Sequence, residues 1–273
     1  MKQSKVFPKS SLITTTREWH DYYTANAKLQ LPIPWEVGAE ITKLEIDKIA
    51  SSLQAWQLGE TSDGSHLLIA AQKYAQLTHD PQFIGVIRLF INEEQRHGHN
   101  LGRFFDLAGI ARIKSNWGDS SFRAIRYCLL ELEIWATSVV MVETIALVYY
   151  GAIRQATHST VLRQICKQIL KDEVSHIRFQ SERLAILHRN RSKWLRALTY
   201  QLQRLLYFGI TIAVWVDHHQ ALQAGGYNFR SYWRAVWAKM NFAWKKMNPE
   251  IYRWKDNLKT EKNTPTAIQK AII

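Results

Sequence analysis

The sequence feature that most limits the possible folds is a long apolar segment with one acid at its centre. Residues 134–153 lie between Glu133 and Arg154, and Glu143 is the only charged residue inside the segment. Its 20 residues could cross a bilayer as a helix, but a carboxylate at mid-membrane costs roughly 2.5–3.5 kcal/mol on insertion scales. We therefore interpret the segment as a buried helix, where the carboxylate must be paired, protonated or bound to a metal.

Helical patterns dominate the rest of the chain, and no run of alternating apolar and polar residues competes as a strand. Six helices are predicted from the apolar spacing and from the capping residues and breakers at their ends. They span about 35–78, 81–107 (capped by Asp80), 120–150 (Asp119 or Ser120), 158–190 (Thr157 or Ser159), 192–224 and 229–247. Gly59 and the turn at 63–65 weaken or split the first helix. Residues 205–216 are uncharged but short, which suits a buried helix.

This pattern predicts an all-α fold. Its centre is expected to be a four-helix bundle with an additional N-terminal segment and two C-terminal helices. The expected divisions are 1–35 for the N-terminal segment, 36–190 for the bundle, 191–248 for a basic, Trp-rich helical extension packed on the bundle, and 249–273 for a polar tail.

Charge and cysteine content limit the partners and the compartment. There are 36 Lys and Arg against 23 Asp and Glu, a net charge of +13 that favours polyanions or an anionic membrane surface. Cys128 and Cys166 are too few for a disulfide scaffold, so we expect buried small apolar residues in a reducing compartment. Residues 1–19 contain no long apolar run that would serve as a secretory signal. We expect a cytoplasmic protein, with attachment at the membrane periphery as an alternative.

Two copies of one motif carry the chemistry. Glu94 and His97 form Glu-x-x-His on the second predicted helix, and Glu173 and His176 form the same motif on the fourth. Residues three apart lie on one helix face, so each pair directs a carboxylate oxygen and an imidazole nitrogen to the same place. Helical bundles use this arrangement to hold iron or manganese.

A single Glu precedes each motif by about the length of a helix hairpin. Glu60 lies 34 residues before Glu94, and Glu143 lies 30 residues before Glu173. The chain therefore reads Glu, Glu-x-x-His, Glu, Glu-x-x-His along four successive predicted helices. Because glycines flank Glu60, the earlier Glu45 and Glu40 are fallback candidates for its position.

Over residues 50–190 this pattern resembles the ferritin-like di-iron carboxylate superfamily, which includes rubrerythrins, ferritins and di-iron oxygenases. The resemblance implies a ferritin-like bundle that holds two iron ions, or iron and manganese. It implies the six ligands Glu60, Glu94, His97, Glu143, Glu173 and His176. Glu94 and Glu173 would bridge the metals, and Glu60 and Glu143 would be terminal or semi-bridging ligands. Glu93 and Asp172 resemble acids that hydrogen-bond the ligand histidines and fix their tautomer.

The resemblance implies an O2-dependent oxidoreductase with an external electron donor and a small organic substrate. The apolar helices favour a hydrophobic substrate, and Gly98, Ala136 and Ala146 are expected to leave room for it beside the ligands. No catalytic side chain beyond the ligands is needed, and Trp56 and Tyr150 are interpreted as packing residues. The alternatives are a ferroxidase, iron-handling or peroxide-protection protein, and a non-enzymatic helical protein that binds membrane or nucleic acid.

A basic, aromatic region follows the predicted bundle. Residues 188–247 hold ten Lys or Arg and five Trp, with Asp217 as the only acid. Such helices suit an anionic membrane surface; nucleic acid is less favoured because no nucleic-acid motif is present. The alternative without a binding partner is that the aromatic side chains pack on the bundle while the charged side chains are solvated. Asp217, His218 and His219 are interpreted as a solvated helix end. For the oligomeric state, a homodimer is an alternative to a monomer.

Overall fold

The fold is all-α throughout the part of the chain that the computed structural model describes, residues 12–62, 64–118 and 131–253. Extended backbone pairs there only at an isolated bridge between Leu12 and Arg253. The all-α prediction is confirmed for these residues. The helices are α1 (Thr16–Asn26), α2 (Lys43–Glu60), α3 (Ser65–Thr78), α4 (Gln82–Ala108), α5 (Leu132–Ala156), α6 (Thr160–His188), α7 (Lys193–Ala224) and α8 (Phe229–Met247), with 3-10 turns at Trp35–Val37 and Pro249–Ile251.

Side-chain caps fix the ends of the last three helices. Ser159 accepts a hydrogen bond from the Leu162 backbone N–H at the start of α6, and Ser192 caps α7 in the same way. Asn228 and Ser231 form a capping box at the start of α8. These caps satisfy N–H groups that lack a partner within the helix. All three helices therefore begin and end within two residues of the prediction.

The first predicted helix is split at the turn that the sequence indicated, and its first residues form a separate 3-10 turn. A 3-10 turn at Trp35–Val37 precedes α2, and α2 and α3 are separated by a turn that contains Gly64. Gly64 has φ +69°, in the left-handed region that glycine adopts without steric cost. Helix α2 includes Gly59 and ends at Glu60, the residue expected to be a ligand, just before the turn that Gly64 permits.

A helix that the sequence prediction missed lies in the N-terminal segment. Thr15 and Glu18 form a capping box at the start of α1, and α1 packs against α4. Asp80 does not cap α4 as predicted, because Pro81 is the N-cap residue of that helix. The Asp80 carboxylate instead accepts a hydrogen bond from Thr16 Oγ1, which ties α1 to the start of α4.

The apolar segment around Glu143 is helix α5. Within the described residues, α5 is one helix that is long and apolar enough to cross a membrane, but most of its apolar window is buried inside the protein. The buried interpretation agrees with this packing. The expected caps Asp119 and Ser120, and also Cys128, lie outside the described residues.

Helices α2, α4, α6 and α5 contact one another in a ring. Helices α1 and α3 pack against α4, α7 packs against α2 and α5, and α8 packs against α5 and α6. One apolar cluster joins α5 and α6 to α7 and α8, and a second surrounds Trp19, Tyr23 and Phe179. Cys166 is buried in the first cluster, as expected, and burial raises the pKa of its thiol to about 12.

Residues 205–216, which the sequence indicated as a buried helix, are buried on one side only. One side of this stretch of α7 is buried through Tyr207 and Thr211. The other side is open, with Leu205 71% exposed and Val216 64% exposed. Length and composition could not distinguish these cases, because an apolar helix at a surface has the same sequence signature as one in a core.

The contact between the end of α7 and α5 generates a stability prediction. A Cβ at Gly225 would lie 2.4–2.6 Å from the backbone of Ala152. We expect Gly225→Ala to lower the free energy of unfolding by about 1–3 kcal/mol. Gly151, inside α5, has open space around its Cβ position, so Gly151→Ala should raise the same free energy by about 0.5–1 kcal/mol. Urea unfolding of both variants measures the two signs, and equal effects would contradict the contact.

Candidate metal centre

The structure brings all six sequence-predicted residues together in two overlapping groups. Within each group the candidate ligand atoms all lie within 4.8 Å of one another. The groups are Glu60, Glu94, His97 and Glu173, and Glu94, Glu143, Glu173 and His176. Glu94 and Glu173 belong to both groups, which are the two positions expected to bridge. Each group is a carboxylate-histidine set that could hold a metal ion.

Glu60 reaches the centre because α2 ends against α4. A Cβ at Gly98 would lie 2.8 Å from Thr61 Cγ2 and 3.0 Å from the Glu60 backbone carbonyl. Gly98 therefore permits this close approach. The expectation that it lines substrate space is wrong, because it is absent from the cavity wall. The fallback Glu45 is engaged elsewhere, because its carboxylate accepts hydrogen bonds from the Thr42 backbone N–H and side chain in the capping box of α2.

The two histidines are oriented by acids from the opposite motif. His97 Nε2 lies 3.0 Å from Asp172 Oδ2, and His176 Nε2 lies 3.0 Å from Glu93 Oε2. A neutral imidazole that donates its Nε2–H keeps a lone pair on Nδ1 for a metal. The Nδ1 atoms do face the carboxylates, since His97 Nδ1 is 3.7 Å from Glu60 Oε2. Both hydrogen bonds expected of Glu93 and Asp172 are present.

Asn26 joins the two acids, a role that was not predicted from the sequence. Its Nδ2 donates to Glu93 Oε1 at 2.7 Å and to Asp172 Oδ1 at 2.9 Å. Lys171 donates to the Asn26 oxygen, which fixes the orientation of the amide. The Thr15-x-x-Glu18 capping box could have indicated α1, but no sequence signal marks Asn26 itself.

Several polar atoms inside the centre have no hydrogen-bond partner. They are Oε1 of Glu94, Nδ1 of His97, both carboxylate oxygens of Glu143, Oε2 of Glu173 and Nδ1 of His176. The closest pair, His176 Nδ1 and Glu94 Oε1, is 2.8 Å apart but lacks hydrogen-bond geometry. Buried polar atoms left unpaired destabilise a fold. A cation bound among them would satisfy these atoms, so the residues present fit a metal ion.

In the absence of a cation, Glu143, Glu173 and both histidines of this cluster retain protons. Glu94 differs, because burial would raise its pKa but the charge of His176 lowers it. Burial raises the pKa of Glu143 well above its usual range, and the charge of Glu173 adds to the effect. Burial and the charge of Glu94 raise the pKa of Glu173 to about 7. Burial alone would lower the pKa of both histidines, but hydrogen bonds and carboxylate charges raise it well above the usual value. A bound metal would have to displace these protons.

Tyr150 is more than a packing residue. Its hydroxyl donates a hydrogen bond to Glu60 Oε1 at 2.7 Å. The Trp56 ring contacts the Tyr150 ring and is stacked on Tyr149, with a centroid distance of 4.4 Å. A buried phenol hydrogen-bonded to a candidate ligand can hold or deliver a proton at that carboxylate.

The interpretation of residues 217–219 as a solvated helix end is wrong for His218. This residue lies on the inner side of α7 and is only 9% exposed. His218 Nδ1 is 2.9 Å from Ser52 Oγ, which in turn is 2.8 Å from the Tyr149 hydroxyl. Burial lowers the pKa of His218. The polar neighbours of His218 in the sequence favoured a solvent position, but the helix period directs its side chain inward.

A cavity of about 520 Å³ adjoins the centre. Four carboxylates line one part of its wall, those of Glu60, Glu94, Glu143 and Glu173. The rest of the wall is mainly apolar and includes Phe90 and Val139. Ala146 lines the cavity as expected, whereas Gly98 and Ala136 do not. The centre therefore faces a space large enough for a small organic molecule.

Comparison of the chain with models of protein families, with curated proteins and with solved structures finds no match.

The shifted pKa values predict how the metal-free protein responds to pH. The raised pKa values of His97, His176, Glu143 and Glu173 mean that the folded state binds more protons than the unfolded state near neutrality. The free energy of unfolding should therefore fall as the pH rises from about 6 to about 8. The lowered pKa of Asp172 does not oppose this trend, because its contribution is lost only in acid, below the usual value of 3.8. The lowered pKa of His218 opposes it in part, because the unfolded state binds a proton there up to about the ordinary value of 6.5, but it is one group against four.

Urea unfolding of chelator-treated protein across this pH range measures the effect. Glu143→Gln removes one carboxylate that must ionise, so this variant should lose less stability than the wild type. Added metal should restore stability most at the higher pH, because metals bind the deprotonated ligands. A metal-free protein that becomes more stable as the pH rises would contradict the raised pKa values of the cluster.

Proposed function

We propose that this chain is a di-iron, or iron-manganese, oxidoreductase of the ferritin-like type that uses O2 to oxidise a hydrophobic organic substrate. The observation that carries the proposal is the pair of ligand groups that share Glu94 and Glu173 and open onto an apolar cavity. Two metal ions held by these residues would supply the redox chemistry for O2 when bound. An external electron donor is required, and the substrate would occupy the cavity.

The helix order supports the superfamily assignment. Glu60, Glu94, Glu143 and Glu173 belong to α2, α4, α5 and α6, the four helices that contact one another in a ring. This is the order of the Glu, Glu-x-x-His repeat that the superfamily uses. Helix α1 and helices α7 and α8 would then be additions to the common bundle.

The chain's own residues have distinct tasks in this proposal. Glu93 and Asp172 hold the histidines in the tautomer that presents Nδ1 to a metal. Tyr150 keeps a proton hydrogen-bonded to Glu60, the carboxylate that would lose its own proton when a metal binds. The apolar wall, including Phe90, Val139 and Ala146, excludes bulk water and orients an apolar substrate.

The first test is metal stoichiometry. We expect about two transition-metal ions per chain after expression with added iron or manganese, measured by elemental analysis. Glu173→Gln should lose most of this metal because Glu173 belongs to both groups. Glu143→Gln should lose about one ion, since Glu143 belongs to one group only.

A matched control is Glu182→Gln, which changes a buried acid outside the centre in the same way. Its metal content should equal that of the wild type. Absence of iron, manganese and zinc from folded wild-type protein would refute the metal centre. It would favour a non-enzymatic helical protein.

The second test separates an oxygenase from a ferroxidase. Ala213 lines the cavity on α7, and no candidate ligand belongs to that helix. Ala213→Phe should abolish O2-dependent hydroxylation of small aromatic and alkyl probes, followed by mass spectrometry, and leave Fe(II) oxidation unchanged. Ala146→Phe should do the same from α5, provided that it folds, because overpacking a core typically costs about 1–3 kcal/mol.

Ala197→Phe is the control, since Ala197 is an exposed residue of α7 away from the cavity lining. It should leave both activities intact. A wild-type protein that oxidises Fe(II) rapidly but hydroxylates none of the probes would instead favour iron handling or peroxide protection. Equal loss of both activities in folded Ala213→Phe would remove the support that the cavity gives to an oxygenase.

A further inference from the structure

Helix α7 exposes a continuous apolar face, here called the outer stripe. Its members are Trp194, Leu198, Leu202, Leu205, Ile212 and Val216, which are between 37% and 73% exposed. They recur at spacings of four, four, three, seven and four residues, so they lie along one side of the helix. At 1.5 Å per residue the stripe is about 33 Å long. Exposed apolar surface of this extent marks an interaction site.

Positive charge accompanies the outer stripe. Residues 193–247, which contain α7 and α8, hold eight Lys or Arg and the single acid Asp217. Arg230, Arg234 and Lys239 are exposed on α8. Helix α8 lies beside the stripe, because the Phe208 ring of α7 packs on Trp233 of α8. An anionic partner would be attracted to this pair of helices.

We propose that the outer stripe inserts into the interfacial region of an anionic lipid bilayer, with α7 parallel to the membrane plane. Helices that combine an apolar side containing Trp and Leu with Lys and Arg bind at this depth. Anionic headgroups complement the basic residues of α8. A second copy paired antiparallel along the stripe fits less well, because its two-fold axis places the two basic α8 helices on the same side.

The cavity reaches the surface at the same place. Leu205 is a member of the outer stripe, is 71% exposed and also lines the cavity. Leu206 and Gly209 of α7 line it as well. A hydrophobic molecule dissolved in the membrane could therefore enter without crossing water. This route for the substrate rests on the proposed function, whereas the binding of α7 to lipid does not.

Vesicle flotation tests the membrane site. The purified chain should float with vesicles of phosphatidylcholine and phosphatidylglycerol and bind much less to phosphatidylcholine alone. Binding should weaken with added salt, because charges are screened over about 8 Å at physiological ionic strength. Equal binding to both kinds of vesicle, or no binding to either, would overturn the proposal.

Substitutions locate the contact. Leu198→Ser with Leu202→Ser should lower the ratio of bound to free protein about tenfold or more, because two leucines no longer enter the apolar layer. Neither residue lines the cavity. Leu44 is the matched control, since it is 65% exposed on α2 while Leu202 is 60% exposed. Leu44→Ser should bind vesicles as the wild type does.

The charge arm replaces Arg230, Arg234 and Lys239 by Gln. Each change should weaken binding to anionic vesicles by about fivefold, with little effect on neutral ones. If the stripe variant converts a dimer to a monomer, measured by light scattering, and vesicle binding is absent, the occupant is a second copy and the proposal fails. Salt-sensitive binding to nucleic acid without vesicle binding would also overturn it.

Metal content, measured on the same samples, keeps the two proposals separate. Stripe and charge variants should retain the metal content of the wild type, because none of the substituted residues contacts the centre. Vesicle binding without metal would refute only the proposed function. Metal binding without vesicle binding would refute only the membrane site.

Discussion

The central constraint on this fold is the meeting of four carboxylates and two histidines in an apolar interior, where all but the partly exposed Glu94 are buried. The two crossed hydrogen bonds, His97 to Asp172 and His176 to Glu93, fix α4 against α6 and turn both Nδ1 atoms towards the carboxylates. Repulsion among acids at this distance is strong in a medium of low polarity. Protons or a cation must therefore compensate it, and the shifted pKa values express the same requirement. Glu143 lies in an apolar setting because most of the other residues of α5 belong to the core.

Much of this centre could be predicted from the sequence, because its parts depend on local rules. The three-residue spacing of Glu and His puts two ligands on one helix face, and the hairpin-length gaps put a single Glu opposite each pair. Capping residues such as Ser159 gave the helix ends because a cap acts within four residues. Glu60 was harder to assign, since the glycines around it suggested a loose position. In the fold Gly59 is helical, α2 ends at Glu60, and Gly98 lets that end approach α4.

The features that the sequence did not predict depend on tertiary contacts. Asn26 acts through partners far along the chain, and an isolated asparagine has no pattern that would distinguish it. His218 was assigned to solvent from its charged neighbour, although packing of α7 against α2 puts it beside Ser52. The outer stripe has the composition of a core helix. Its side chains are exposed because α7 lies at the edge of the fold. Composition describes what a helix can bury; the neighbours decide which side is buried.

The amide of Asn26 has a consequence for the order of folding. Its two hydrogen bonds close loops of 67 and 146 residues, because Glu93 and Asp172 lie that far along the chain. Loop-closure entropy makes such distant contacts late events, formed after local helices and hairpins. The histidine-orienting acids therefore acquire their final positions only when the first helix docks onto α4 and α6, after α6 has been synthesised. Helix α1 is synthesised before α4 and α6 but docks after them, so the centre is complete only once Asn26 has met a residue 146 positions later in the chain.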